Sequence, residues 1–89
     1  MRVEFDRRKD TSNFRKHGVS LSFARDLDWD HALAWNDDRF DYAEHRMVAL
    51  APKGSTLYYV AFVDREDALR IISLRRANRR EVLHYVKNS

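Results

Sequence analysis

The feature that most constrains the fold is an unbroken apolar and aromatic run, LYYVAFV, at residues 57–63. A strand without polar alternation is typical of a central position that is covered on both faces of a sheet. Two further strand-like runs flank it, RMVALA at residues 46–51 and ALRIISL at residues 68–74. Because the connections on either side, PKGS and DRED, are short, the sequence predicts that all three strands are antiparallel neighbours.

Weaker signals upstream complete a predicted α+β fold. A short edge strand, VEFD, precedes a helix that begins after the N-cap Asp6 and ends at Gly18. Ser20 is placed to cap a second helix near residues 21–28, and HALAW predicts one more strand. The expected order is β-α-α-β-β-β-β-α, with two N-terminal helices and one C-terminal helix on a small antiparallel sheet. A single domain over residues 1–89 follows from the length.

The last predicted element is a helix at the C-terminus. Asn78 and Glu81 are three residues apart, which is the spacing of a capping box, so the helix is expected from about residue 79 to residue 87. Helical periodicity then predicts that Val82, Tyr85 and Val86 form its inward side.

Positive charge is concentrated at the two ends of the chain. The net charge is +3, but residues 1–25 carry +4, residues 26–44 carry −6 and residues 65–89 carry +4. A polyanion should therefore be attracted to the ends rather than to the whole surface. Scattered arginines that only aid solubility are the alternative interpretation.

Several classes of function are disfavoured by composition. There is no cysteine, which excludes disulfides, thiolate nucleophiles and cysteine metal sites. The segment DLDWDH imitates the opening of a calcium loop, but His31 replaces the expected glycine and Asp37 the final glutamate. The four histidines lack zinc-helix spacing, so neither metal nor cofactor is expected. The N-terminus has no signal-peptide core and no apolar run spans a bilayer, which predicts a cytoplasmic protein.

Five arginines surround the junction of the last strand and the last helix: Arg70, Arg75, Arg76, Arg79 and Arg80. A helix dipole disfavours cations at the N-terminus, so local stability does not explain the last two. An anion there would meet guanidinium and free N–H groups together, which suits a phosphodiester. Alternatively, the arginines pair with the acidic middle segment. Strand alternation lets Arg70 and Arg75 share one site only if the strand bulges or twists between them.

The first helix adds a second basic surface. Lys9 and Lys16 are seven residues apart and share a helical face with Asn13. His17 ends this helix, where a cation is favourable by about 0.3–1 kcal/mol, so its role is either electrostatic or the handling of protons.

These segments resemble the BrnT family of toxins along nearly the whole chain. The matching residues are FDRRK, NFRKHGVSLSFA, DDRFDYAEHR and RIISLRRANRREVLHY, in this order. The resemblance implies a RelE-like fold and an RNA-cleaving toxin of a type II toxin–antitoxin pair that inhibits translation. It also implies a cognate antitoxin with a ribbon-helix-helix domain, which would form a hetero-oligomer with the toxin. Contact with DNA would be made only through the antitoxin.

Metal-free RNA cleavage would assign roles to the basic residues. The 2′-OH attacks the adjacent phosphate, so a protein must move protons and stabilise the phosphorane. Arg70 and Arg75 are the candidates for charge stabilisation, and His17 or Tyr85 for proton transfer, with packing as the alternative for the tyrosine. The residues expected to position the RNA backbone are Lys9, Lys16, Arg76, Arg79 and Arg80. The competing hypothesis is a non-catalytic RNA- or protein-binding module.

Overall fold

The computed structural model describes residues 2–39 and 44–89. In chain order the elements are β1 (Val3–Glu4), α1 (Arg7–His17), two 3-10 segments (Leu21–Asp26 and Trp29–His31), β2 (Leu33–Asn36), β3 (Arg46–Lys53), β4 (Thr56–Arg65), β5 (Ala68–Arg76) and α2 (Arg79–Asn88). Within these residues the strands form one five-stranded sheet in the order β1-β5-β4-β3-β2. None of the helices in the described ranges has both the length and the apolar character that crossing a membrane demands.

The central strand is the one that the sequence predicts. β4 lies third of five, pairs antiparallel with β3 and with β5, and is buried on both faces. Val60 and Phe62 point to one side and Ala61 and Val63 to the other, and all four are at most 7% exposed. The antiparallel arrangement of the three long strands is therefore confirmed.

The sheet as a whole is mixed, so the prediction of a purely antiparallel sheet is wrong. β1 pairs in parallel with β5, placing Val3 beside Leu69 and Glu4 beside Arg70. Two parallel neighbours need a long connection between them, and here that connection is the whole chain between β1 and β5. A two-residue strand carries too little pattern to reveal its partner.

The predicted pair of N-terminal α-helices is also wrong in its second member. α1 forms as expected, with Asp6 as N-cap and Gly18 at φ 72° ending it. The next segment is a 3-10 helix, which Ser20 caps through its side chain. Leu21, Ala24 and Leu27 are spaced by three and all buried, a period that matches the three residues per turn of a 3-10 helix.

The main core lies between one sheet face and the first 3-10 segment. Its buried members are Val3, Leu21, Ala24, Leu27, Ala49, Ala51, Val60, Phe62, Ile71 and Leu74. Burying each large aliphatic side chain contributes about 1.5–3 kcal/mol before chain entropy is counted. This core fixes the segment after α1 rigidly against β4 and β5.

α2 lies over the opposite sheet face and is attached by long side chains. The predicted capping box between Asn78 and Glu81 is present. The predicted inward side is wrong for Val82 and Val86, which are 38% and 69% exposed, whereas Tyr85 is half-buried. The reason is that α2 stands off from the sheet, so contacts are made by extended groups such as the His84 ring, 5.6 Å from the ring of Trp35.

Candidate active site

A β-bulge decides which arginines can meet on β5. Ala61 pairs with Ser73 but Phe62 pairs with Ile71, so Ile72 is an extra residue in the strand. Ile71 and Leu74, three residues apart, consequently both enter the main core. Arg70 precedes Ile71 and Arg75 follows Leu74, so both arginines point to the opposite face of the sheet. The bulge that the sequence analysis required for a common face is therefore present.

The two arginines nevertheless have different partners on that face, Arg70 beside Glu4 of β1 and Arg75 against Glu81 of α2. Arg70 is opposite Val63, and Arg75 is opposite Tyr59, on β4. Four residues along a strand correspond to about 13 Å. A common face is therefore not a common site.

Arg75 is held by a contact set that we call the clamp: Arg75, Glu81 and Tyr59. Its Nη1 and Nη2 donate to the two carboxylate oxygens of Glu81 at 2.8 and 2.9 Å. The guanidinium carbon lies 4.0 Å from the Tyr59 ring centroid, a cation–π distance. The hydrogen bond to Glu81 raises the pKa of Arg75. The acid comes from α2, not from the acidic middle segment that the sequence suggested as a partner.

Glu81 serves the clamp and the helix cap together. Its Oε1 also accepts the backbone N–H of Asn78 at 2.8 Å, completing the capping box. Burial alone would raise the pKa of Glu81, but the hydrogen bonds from Arg75 and from the Asn78 backbone outweigh it, so the pKa is lowered. The clamp thus joins the beginning of α2 to the end of β5.

Arg70 belongs to a separate charged network beside β1. Its Nη1 lies 4.0 Å from Glu4 Oε1, the same carboxylate that pairs with Arg65 at 3.2 Å and with Arg2 at 3.9 Å. The Arg70 side chain is 31% exposed. Arg65 also pairs with Glu44 at 3.0 Å, and Arg2 with Asp67 at 3.3 Å, so three carboxylates face the three cations. This network is far along the strand from the clamp.

Tyr85 anchors α2 to the chain before β2. Its hydroxyl donates a hydrogen bond of 2.7 Å to the backbone carbonyl of His31. Tyr85 lines neither of the two depressions that contain His17. The structure therefore does not bring together the four residues that the sequence selected for catalysis.

The other face of the molecule has an open depression of about 710 Å³, which we call the His17 cleft. It lies where the end of α1 and the first 3-10 segment meet the ends of β4 and β5. Its polar lining comes mainly from His17, Ser22, Asp26, Tyr58 and Arg76. Arg76 reaches it because it follows Arg75 in the strand and so points to the opposite face.

The turn that builds one wall of the cleft is fixed by local chemistry. Gly18 takes the left-handed φ that ends α1 and donates its N–H to the carbonyl of Phe14. Asp10 on α1 then accepts from the Ser20 hydroxyl at 2.8 Å and from the Leu21 N–H at 2.7 Å. These bonds hold His17 and the 3-10 segment in a defined relation.

A smaller depression of about 250 Å³ adjoins the cleft, and we call it the basic groove. Lys9, Lys16 and Ser73 line it, and His17 lines both depressions. Across residues 2–39 and 44–89, no ion pair engages Lys9, Lys16, His17 or Arg76. The positive charges of the two lysines and of Arg76 are thus available to an external anion.

Asn13 is the positioning residue that the sequence analysis did not identify. It is 6% exposed, and its amide donates to the carbonyls of Leu74 and Val19 at 2.7 and 2.9 Å, while its oxygen accepts the Leu74 N–H at 3.1 Å. β1 ends at Glu4, so the edge of β5 beyond it lacks a strand partner there, and Asn13 supplies one. The sequence feature that could have indicated this role is an amide side chain on the Lys9–Lys16 face of a helix that has almost no apolar side.

Arg79 and Arg80 remain exposed in the first turn of α2, and no ion pair within the described residues involves either. Their placement agrees with a role in positioning an anion but supplies no enclosed site. Among the described residues, no group of three or more histidine or acidic side chains is arranged to hold a metal ion.

Comparison with known proteins places this architecture in a family. A family model described as the ribonuclease toxin BrnT of type II toxin–antitoxin systems matches residues 5–81, nearly the whole chain. The match includes α1, the 3-10 segments, all four strands after β1 and the beginning of α2. A search of curated proteins finds no match to the chain. The chain therefore belongs to the BrnT family of ribonuclease toxins of type II toxin–antitoxin systems.

Proposed function

We propose that the chain is a metal-independent endoribonuclease whose cleavage site is the His17 cleft. One observation carries the proposal: His17 and Arg76 line the same open depression, and neither is engaged in an ion pair within the described residues. The basic groove continues this surface with Lys9 and Lys16, which suits the backbone of a single strand. The more distant Arg79 and Arg80 extend the attraction for RNA.

The chemistry proposed is attack by the ribose 2′-OH on the adjacent phosphorus. His17 takes the 2′ proton as the O2′–P bond forms, and Arg76 stabilises the added negative charge of the phosphorane. The P–O5′ bond breaks, and the leaving oxygen takes a proton from the Tyr58 hydroxyl. Transfer of the His17 proton through solvent to the Tyr58 oxygen then restores both side chains. The products are a 2′,3′-cyclic phosphate and a 5′-OH end, with no change in total atoms or charge.

The catalytic roles that the sequence predicts for Arg70, Arg75 and Tyr85 stay predictions, and the geometry attaches a condition to each. Arg75 would stabilise a phosphate only after Glu81 released it. Tyr85 would transfer a proton only after its bond to the His31 carbonyl opened. Arg70 would act through a part of the RNA far from the cleft. We therefore assign the chemistry to His17, Arg76 and Tyr58.

Family membership supports the wider biological proposal. As a toxin of a type II system the chain has an antitoxin partner and an RNA substrate. We propose further that RNA cleavage inhibits translation in the cytoplasm, that the fold is related to RelE, and that the antitoxin carries a ribbon-helix-helix domain through which the complex binds DNA. The competing proposal, a non-catalytic RNA- or protein-binding module, is supported by the same basic surface.

The deciding experiment is cleavage of a fluorescent RNA oligonucleotide by purified protein in EDTA. The wild type should produce 2′,3′-cyclic phosphate ends, and His17→Ala should lower the rate about 100-fold or more. Arg7→Ala is the matched control, because Arg7 is an exposed cation of α1 that lines neither depression. Intact RNA after long incubation with folded wild-type protein would favour the binding module instead.

A further inference from the structure

We propose that Asp26 reads a nucleobase in the His17 cleft and makes the cleft select guanine. This inference rests on the proposed ribonuclease function and adds to it the base preference of the same site. Asp26 is the acidic member of the cleft lining, on a surface otherwise suited to an anion. A carboxylate there repels phosphate, so it must face a different part of a bound RNA.

The position of Asp26 is set by the fold. It is the last residue of the 3-10 segment Leu21–Asp26, whose Leu21 and Ala24 are fully buried, and the next residue, Leu27, is only 6% exposed. Anchors on both sides of Asp26 hold its backbone in place beside the cleft. The carboxylate is thus presented from a packed element rather than from a free loop.

Neighbouring cations leave this carboxylate unused. Arg25 turns the other way, donating to the Val3 carbonyl at 3.4 Å with its guanidinium 6.0 Å from the Phe5 ring centroid. Arg76 lines the same cleft, yet the two form no ion pair. Across the two described ranges, no hydrogen bond or ion pair involves the Asp26 side chain. Both oxygens are therefore available as acceptors.

An ionised carboxylate can only accept hydrogen bonds, which makes it selective among bases. Guanine presents N1–H and N2–H side by side, a match for the two oxygens. The amino groups of adenine and cytosine each stand beside a ring nitrogen acceptor, and the N3–H of uracil lies between two carbonyls. These acceptors would repel the carboxylate, so guanine is preferred and uracil is the poorest ligand.

The cleft also offers a surface on which the base can rest. Phe23 and Tyr58 form an edge-to-face pair with centroids 5.0 Å apart, and both rings line the cleft while only partly buried. Stacking on aromatic rings contributes about 1–3 kcal/mol per base without strong sequence preference. In this arrangement the rings supply affinity and Asp26 supplies the choice of base.

Binding to uncleavable DNA tests base reading separately from catalysis. Deoxythymidine hexamers carrying one internal guanine, adenine or cytosine are titrated at constant salt. The wild type should bind the guanine hexamer roughly tenfold more tightly than all-thymine DNA, and Asp26→Asn should abolish most of that ratio. Asp30→Asn is the control, because it removes the same charge from an exposed residue of the same acidic segment outside the cleft. Equal binding of all four hexamers by the wild type would overturn the proposal.

Cleavage of RNA hexamers with the same single substitutions provides the second readout. Wild-type protein should cut beside guanine, and Asp26→Asn should cut the four RNAs at similar rates. If Asp26 instead positions His17, the variant would slow all four RNAs in the same proportion, which contradicts base reading. A guanine preference in DNA binding without any RNA cleavage would overturn the ribonuclease proposal and leave base reading by Asp26 intact.

Discussion

Arg75 and Arg76 are consecutive residues of the same type in two different environments. Arg75 points to the α2 side of the sheet, where Glu81 neutralises it and the Tyr59 ring covers it. Arg76 points to the other side, is exposed, and lines the His17 cleft. Strand alternation alone separates them, so one arginine stabilises the fold while its neighbour faces solvent beside a histidine.

The difference shows that a dense cluster of arginines is not one functional unit. The pair formed with Glu81 offsets the desolvation of Arg75, and an incoming phosphate would have to replace a bidentate partner. Arg76 could bind a phosphate without first breaking an ion pair. The structure therefore separates an arginine held by an internal partner from one that is open to an external anion, and the predictions below test whether function follows that division.

Prediction one has the largest expected effect and compares the two arginines directly. Arg76→Met should lower kcat for RNA cleavage about 100–1000-fold, since a donor to the developing charge is lost, and should leave stability nearly unchanged. Arg75→Met should lower stability instead and change kcat less than about tenfold. Initial rates and thermal melts of both variants measure this. A reversed pattern, with Arg75→Met inactive but stable, would return catalysis to the α2 face.

The surroundings of Arg75 and Arg76 show which features of the fold can be predicted from the sequence. Caps at Asp6, Ser20 and Asn78, the central strand and the short connections were all predictable, because each depends on neighbours in sequence. The bulge at Ile72 was not predictable, since it arises from fitting Ile71 and Leu74 into one core. Without it, the faces of the arginines could not be assigned.

The partner of each charge was equally hidden from the sequence. A count of charges by segment suggested the acidic middle region as the partner of the arginines. Arg75 instead pairs with Glu81, six residues away, because the turn into α2 brings them together. The proximity of His17 to Arg76 likewise depends on the docking of α1 against β5 through Asn13. Contacts between distant segments follow from packing, which no local pattern records.

Prediction two concerns the docking of α1, on which the cleft side depends. Asn13→Ala should lower the free energy of unfolding by about 2–3 kcal/mol, because the buried N–H and carbonyl of Leu74 lose their partner. Urea denaturation measures the loss. Ser12→Ala is the control, an exposed neighbour in the same groove, and should change stability by less than about 0.5 kcal/mol. Equal stability of Asn13→Ala and wild type would mean that α1 docks by other contacts.

Prediction three measures the clamp alone. A double-mutant cycle of Arg75→Met and Glu81→Gln should give a coupling energy of about 1–2 kcal/mol, in favour of the wild-type pair. The value is below that of a fully buried pair because the two side chains are 29% and 18% exposed. Methionine keeps apolar contact with the Tyr59 ring, and glutamine keeps an oxygen for the Asn78 N–H. A coupling energy of zero would mean that Arg75 is as free as Arg76.

Prediction four is the smallest effect and concerns pH. Because the folded-state pKa of Glu81 lies below its ordinary value of 4.5, the stabilisation is complete above that pH. It is lost as the pH falls through the folded-state value, where the carboxylate becomes protonated in both states. Solvent screening limits the contribution to no more than about 1 kcal/mol. The stability advantage of wild type over Glu81→Gln should therefore be constant from pH 7 to about pH 5 and shrink in stronger acid.

The pH measurement is specific to the clamp because it compares the stability of the wild type with that of Glu81→Gln. Asp6 also has a lowered pKa, caused by hydrogen bonds from the backbone N–H groups of Lys9 and Arg8. Its contribution to stability is therefore also lost in acid. Both proteins retain Asp6, so its contribution cancels in the difference, whereas the contribution of Glu81 does not. An advantage that persists undiminished well below the ordinary pKa, or that grows there, would show that Glu81 stabilises α2 without using its charge. In that case the ion pair with Glu81 would not be what holds Arg75 in place. The difference between Arg75 and Arg76 would then depend only on the contact of Arg75 with the Tyr59 ring.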